Sequence, residues 1–241
     1  MLKSRVPEVR ILQGRRFIDL SHPLVHGMPG FRMAAPDGES IEYSISVRPF
    51  LTHEESRKFY HGQCSFEVTE VKMQTSVGTY LDAPRHRYQE GKDVSAFALE
   101  DLVMRGIVVD ARGLNAFDAL DTKALPGMHF MAGRAVLFCF GWDSKWGTDE
   151  YRRYPHLSSS CLQVLLSSGA KLIGVDTPNV DDASNLKRPA HTELLGRGVL
   201  ILENLASLAE LVGHEFVLFA VPLSVKDAAS MPVRAFAEVF E

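Results

Sequence analysis

The stretch "MQTSVGTYLDAPRH", residues 73–86, places a glycine, an aspartate, a proline and a histidine at close spacing. Pro84 biases Ala83 toward an extended conformation, so the end of the stretch is not helical. An extended chain puts Asp82, Pro84 and His86 on one face. A carboxylate and an imidazole on one face can share a metal ion or a proton. A surface ion pair would have the same spacing. Just upstream, "SFEVTEVKMQTS" alternates apolar and polar residues, the period-2 pattern of a half-buried strand.

Working outward, "FIDLSHPL" reads as a short strand running into a proline turn, and residues 27–40, rich in Gly, Pro and Met, read as a surface loop. "GIVVDARG", "AVLFCFGWD" and "KLIGVDTPNV" are short apolar runs that stop at Gly or Asp, as buried strands do. "SSSCLQVLLSSGA" starts on serines, has apolar residues at helical spacing and reaches Gly169, which predicts a capped helix. "PAHTELLGRG" reads as a short helix opened by proline. "VLILENL" follows as a strand, "LASLAELVG" as a helix, and "EFVLFAVPLSV" and "VRAFAEVF" as closing strands. Strands dominate and helices are few, the mark of a mixed α/β or α+β domain.

The length of 241 residues suits one large domain with a substantial core. A net charge of −4 leaves no electrostatic footprint for nucleic acid. No apolar run is long enough for a membrane span, and the first residues lack an apolar signal core. Three widely spaced cysteines suggest a reducing, cytoplasmic setting. Cys139, inside "AVLFCF", reads as a small buried hydrophobe.

Beyond the opening stretch, His191 begins a predicted helix. Glu203 lies in a strand otherwise made of Val, Leu and Ile, where an ionised carboxylate is costly to bury without a partner. Its neighbours Leu202 and Asn204 do not form a tidy exposed face, which favours an inward, paired Glu203. Asp176, at the end of a predicted strand, fits either a site or a turn cap. His22 could line a cleft or pack a turn. His53 and His61 lie in a polar segment expected to be solvated, and His129, His156 and His214 suggest nothing.

Taken in order, "FIDLSHPLVHGMPG", "GTYLDAPRH", "FGWDSKW", "GVDTPNVD", "PAHTELLGRGVLILENLASL" and "PLSVKDAASMPVRAFA" resemble the cyclase family of metal-dependent hydrolases, which includes bacterial kynurenine formamidase and isatin hydrolase. The family signature is H-x-G-T-H-x-D-x-P-x-H. This chain has Gly78, Thr79, Asp82, Pro84 and His86, but Ser76 and Tyr80 stand at the first two histidine positions. The resemblance implies a single α/β domain of the swivelling β/β/α type over residues 1–241, with residues 1–16 as an N-terminal extension. It also implies a homodimer or homotetramer acting on a small molecule, without nucleic acid or membrane.

In the family, the two missing histidines and the aspartate hold one divalent metal, zinc or manganese. A second metal is held by the same aspartate with a downstream His and Glu, which match His191 and Glu203 here. Serine hydroxyl is a poor ligand, and tyrosine binds metal only if its pKa of about 10 is strongly lowered. The expected outcome is one divalent metal at Asp82, His191 and Glu203, activating water to cleave a C–N bond of the amide type in a small aromatic or cyclic substrate. His86 would transfer protons, as the resemblance implies. Tyr80 would donate to an oxyanion. Ser76, Phe31 and Trp142 would line the substrate pocket, although core packing is the simpler account of Trp142. Two alternatives stay open: a metal-independent acid–base enzyme (isomerase, lyase or ring-opening) working with Asp82, His86 and Tyr80, and a small-molecule-binding member without catalysis.

Overall fold

The computed structural model describes residues 15–28, 30–35 and 37–240. The expected extension therefore lies outside the described residues up to position 14, and Arg16 already opens a strand. In chain order the strands are β1 (Arg16–Asp19), β2 (Arg32–Ala34), β3 (Ser40–Glu42), β4 (Ile45–Leu51), β5 (Val68–Met73), β6 (Tyr80–Asp82), β7 (Val103–Asp110), β8 (Ala119–Leu120), β9 (Ala135–Cys139), β10 (His156–Leu157), β11 (Leu172–Val175), β12 (Leu200–Glu203), β13 (Phe216–Phe219), β14 (Ser230–Pro232) and β15 (Phe236–Val239). Nine of them form one mixed sheet in the order β1-β15-β13-β7-β9-β11-β12-β6-β14.

The predicted apolar runs become the parallel centre of this sheet, β7-β9-β11-β12. A parallel strand is covered on both faces, which is why "AVLFC" is buried at every position. The helices are α1 (His53–Phe59), α2 (Met128–Met131), α3 (Ser159–Ser168) and α4 (Pro189–Gly196), and two crossovers of the sheet carry α3 between β9 and β11 and α4 between β11 and β12. The Ser158 hydroxyl accepts from the Cys161 N–H at 3.1 Å, and Gly169 closes α3 in the left-handed conformation at φ 76°.

Side chains of each strand alternate between two cores. Val136, Phe138, Ile173 and Ile201 pack with Leu162 and Leu165 of α3 and Leu194 and Leu195 of α4. Leu137, Leu172, Leu202 and Leu81 pack on the opposite face with Phe216 and Leu218. Cys139 is one of the buried residues of that second core.

Three expectations change. Residues 27–40 are not all loop, because β2 lies within them and pairs with β3. The strand expected over 65–76 spans Val68–Met73, pairs with β4 in a two-stranded ribbon apart from the main sheet, and leaves Val68 and Val71 exposed while Met73 packs on Met28 and Val77. "LASLAELVG" makes only a 3-10 turn, Leu208–Leu211. Ser207 sits at φ 56° with its N–H held by Asp143 at 2.8 Å, which interrupts any continuous helix there. Among the described residues no helix is long and apolar enough to cross a membrane.

Candidate active site

Strand register assembles the site. β6 pairs antiparallel with β12, matching Tyr80 to Glu203, Leu81 to Leu202 and Asp82 to Ile201. Directly opposed residues share a face. Tyr80, Asp82 and Glu203 therefore lie on the face that α4 covers, while Leu81 and Leu202 enter the other core. Gly78 permits the turn into β6: it takes φ 62°, and a Cβ there would collide with Leu24 Cδ2.

The site residues converge closely. His191 Nε2 lies 3.6 Å from Asp82 Oδ2 and 3.5 Å from Glu203 Oε1. His86 Nδ1 lies 3.4 Å from Asp82 Oδ1. Asp82, His86 and His191 each offer a ligand atom, and these atoms lie within 4.8 Å of one another. Pro84–His86 is a 3-10 turn rather than extended chain. His86 thus meets Asp82 by turning back, not by the alternation of a strand.

The inward reading of Glu203 holds, since it is fully buried. Its Oε1 accepts the Val180 N–H at 2.8 Å, and its Oε2 accepts the Tyr80 hydroxyl. Tyr80 is therefore committed to Glu203, and its proton is not free for an oxyanion as the sequence suggested. Ser76 shares a hydrogen bond with Ser230 at 2.9 Å.

Sequence reasoning missed Asp181. Its carboxylate accepts from the Ala190 and His191 N–H groups at 2.7 and 3.1 Å and meets His191 Nδ1 at 2.7 Å. It caps α4, which Arg188 at the N-cap position does not do. It also turns His191 Nε2 toward Asp82 and Glu203. A carboxylate behind a histidine is the usual outer partner of a metal-binding imidazole. The signal was the acidic pair at 181–182, overshadowed by Asp176. Asp176 is the turn cap: it accepts the Phe140, Gly141 and Trp142 N–H groups at 3.0, 2.8 and 3.3 Å.

Both carboxylate oxygens of Asp82 are buried without a hydrogen-bond partner among the described residues. A buried carboxylate in that state calls for a cation. Burial by itself would depress the His191 imidazole, but Glu203, Asp181 and Asp82 outweigh it and push it up to about 10. Burial pushes Glu203 upward, and Asp82 adds to that. Burial also holds Tyr80 well above the ordinary phenol range, with Glu203 and Asp82 acting in the same direction, so it is a neutral donor. Burial lowers His86, against the opposing pull of Asp82.

The donor set that converges, the Asp82 carboxylate with the imidazole nitrogens of His86 and His191, fits one divalent ion; Glu203 lies outside that group, 3.5 Å from His191 Nε2. The positions of the missing histidines add nothing to it, because the Ser76 hydroxyl is engaged with Ser230 and the Tyr80 phenol is neutral and engaged with Glu203.

Two adjoining cavities, about 350 and 560 Å3, open beside this cluster and share Phe31, Ser76 and Tyr80 in their walls. Ser76 and Phe31 line both cavities. Trp142 does not: it is 5% exposed, packs in the helix-side core and carries Lys145 Nζ 3.6 Å above its ring. Trp146, four residues on, lines the smaller cavity instead, stacked on His22 at 3.9 Å and edge-on to Tyr151. The turn over Trp142–Lys145 sends the two indoles to different places.

Trp146→Ala is expected to weaken binding of an aromatic ligand about three- to tenfold, the worth of one aromatic pair. Trp142→Ala is expected to lower folding stability by about 3–5 kcal/mol with binding unchanged. Calorimetric titration and urea denaturation check both; the reverse pattern would exchange the two assignments.

The family model described as "Putative cyclase" matches residues 18–182. A kynurenine formamidase of Bacillus cereus is 29% identical over 220 residues, covering 91% of this chain and 95% of the relative. One of Erythrobacter litoralis is 33% identical over 169 residues, covering 70% and 75%. The solved structure of isatin hydrolase A from Labrenzia aggregata bound to benzyl benzoate superposes with a TM-score of 0.81 at 22% identity, covering 95% of each chain. That likeness shows a common fold.

Proposed function

This chain belongs to the cyclase family, and we propose that it hydrolyses an amide-type C–N bond in a small aromatic or cyclic substrate with one divalent metal ion, zinc or manganese. Asp82, His191 and Glu203 would hold the ion. The observation that carries the proposal is the Asp82 carboxylate, fully buried, without a hydrogen bond at either oxygen among the described residues and faced by two imidazoles at 3.4 and 3.6 Å. The choice of bond is supported by the kynurenine formamidase relatives and the aromatic cavity walls.

An ion held there would supply polarisation of the substrate carbonyl and activation of water. The chain's residues supply the rest. Asp181 holds the Nδ1 proton of His191 and keeps the Nε2 lone pair facing inward. Tyr80 and the Val180 N–H fix both oxygens of Glu203, so Tyr80 acts through Glu203 as a positioning residue. His86 is the more exposed of the two imidazoles, and its lowered pKa leaves it neutral near pH 7. It can take a proton from water and return it to the leaving nitrogen. Phe31 and Trp146 offer flat apolar surfaces to a ring.

The metal-independent alternative has its own observation. With His191 pushed up to about 10, an imidazolium could balance Asp82 and Glu203 without an ion. Protein stripped with chelator and then titrated with zinc or manganese separates the two, using an N-formylaniline and a cyclic aryl amide as substrates. We expect hydrolysis to appear as about one ion per chain is taken up, the stoichiometry of a single such site. Full activity in the stripped protein would discard the metal. No turnover of either compound under any condition would discard the hydrolase.

A further inference from the structure

We propose that Tyr88 and Arg87 are positioning residues: both grip Thr192, the residue after His191 on α4, and so fix the His86 imidazole beside that of His191. This rests on the hydrolase reading, in which His86 carries the proton, and says what holds that carrier in place.

The two imidazoles are held differently. His191 has an outer partner, Asp181, at 2.7 Å from its Nδ1. His86 Nδ1 stands 3.4 Å from Asp82 Oδ1, beyond the ordinary hydrogen-bond range of about 2.7–3.2 Å. Yet the two rings lie 5.6 Å apart, centre to centre, with 41° between their planes. The backbone that carries His86 must therefore place it.

That backbone is a loop closed on itself. The Arg85 N–H donates to the Lys92 carbonyl at 3.0 Å, and the Gly91 N–H to the Tyr88 carbonyl at 2.7 Å. A Cβ on Gly91 would lie 2.7 Å from the Pro84 carbonyl carbon, so the closure calls for glycine. A loop closed in this way carries His86 together with the two residues that follow it.

Those two residues reach α4. The Tyr88 hydroxyl donates to the Thr192 carbonyl at 2.8 Å, and Arg87 Nη2 donates to the Thr192 hydroxyl at 2.9 Å. The Thr192 hydroxyl in turn donates to the Lys187 carbonyl at 3.1 Å, which ties the grip to the chain ahead of α4. The Tyr88 ring lies against Gly196, the last residue of α4. A Cβ on Gly196 would come within 2.7 Å of the Tyr88 hydroxyl oxygen and 3.2 Å of Cζ. Gly196 does not take a left-handed backbone. Its conformation makes no demand for glycine; the space for Tyr88 does. The rival account is that these bonds only fasten a surface loop, since Tyr88 is 41% exposed.

Two variants separate these accounts. Tyr88→Phe removes the hydroxyl. Gly196→Ala pushes the Tyr88 ring off the helix while supplying the better helix former. Each serves alone if the other fails to fold. In zinc-treated protein, the nuclear Overhauser contact between the ring protons of His86 and His191 should be present in the wild type and lost in both variants. With an N-formylaniline, kcat should fall about tenfold in each variant while KM stays within about twofold, the pattern of a displaced proton carrier. The double variant should lose no more than either single one, because both act on one contact. Tm of Gly196→Ala should hold or rise. A loop-fastening role would lower Tm and leave the ring contact and kcat alone. The proposal is overturned if the wild-type rings show no contact, if the contact survives both variants, or if kcat holds while KM rises. If the wild type turns over no amide while the ring contact still depends on Tyr88, the hydrolase reading falls and the positioning stands.

Discussion

Asp82→Asn is expected to cut amide hydrolysis by about a thousandfold or more while the protein stays folded. Asn has nearly the shape of Asp and none of its charge. The side chain it replaces is fully buried and makes no hydrogen bond to another residue among those described. Little packing is therefore lost. What disappears is the negative charge between His86 and His191. A metal's charge stabilisation of a hydrolytic transition state amounts to several kcal/mol, and each 1.36 kcal/mol is about tenfold in rate. Circular dichroism shows whether the fold persists, and single-turnover kinetics reads the loss. Activity within about threefold of wild type would remove Asp82 from the mechanism. Glu203→Gln tests the neighbouring carboxylate in the same way and should also abolish metal uptake.

The second large effect needs no substrate. A ligand that binds only the native state at about a thousand times its Kd adds about 4 kcal/mol of stability. For a chain of this size each kcal/mol moves Tm by about 2–4 °C, so zinc or manganese should raise Tm by about 8–16 °C in a thermal scan. Asp82→Asn should lose nearly all of that shift. Asp181→Asn should keep part of it, because removing the partner of a ligating histidine weakens metal affinity about 10- to 100-fold. A wild-type protein with no shift in either metal would leave the imidazolium of His191 as the partner of Asp82, and the acid–base alternative would take precedence.

These effects trace to residues that differ in how readable they were. Asp82, His86, His191 and Glu203 stand out in the chain because carboxylates and imidazoles next to apolar runs are costly unless used. The helix ending at Gly169 was equally plain, with a serine cap at one end and a left-handed glycine at the other. Trp142 and Trp146 were not separable, since one short turn decides which indole meets the cavity. Asp181 was hidden for a similar reason. Its partners, the N–H groups of 190 and 191, are brought to it only by the loop that leads from β11 to α4. Ser76 and Tyr80 were legible as departures from a motif, but that the Tyr80 hydroxyl is consumed by Glu203 was not.

By itself, then, the sequence determined which chemistry was available, the family and the alternation of apolar faces, because side-chain type and local periodicity are written residue by residue. Only the tertiary structure decided which groups meet. Residues 82 and 203 are neighbours solely because β6 pairs with β12 in one register, and a slip of one position would send Tyr80 and Asp82 into the opposite core. That register depends on packing of the whole sheet between two apolar layers, a property that no short stretch of the chain contains.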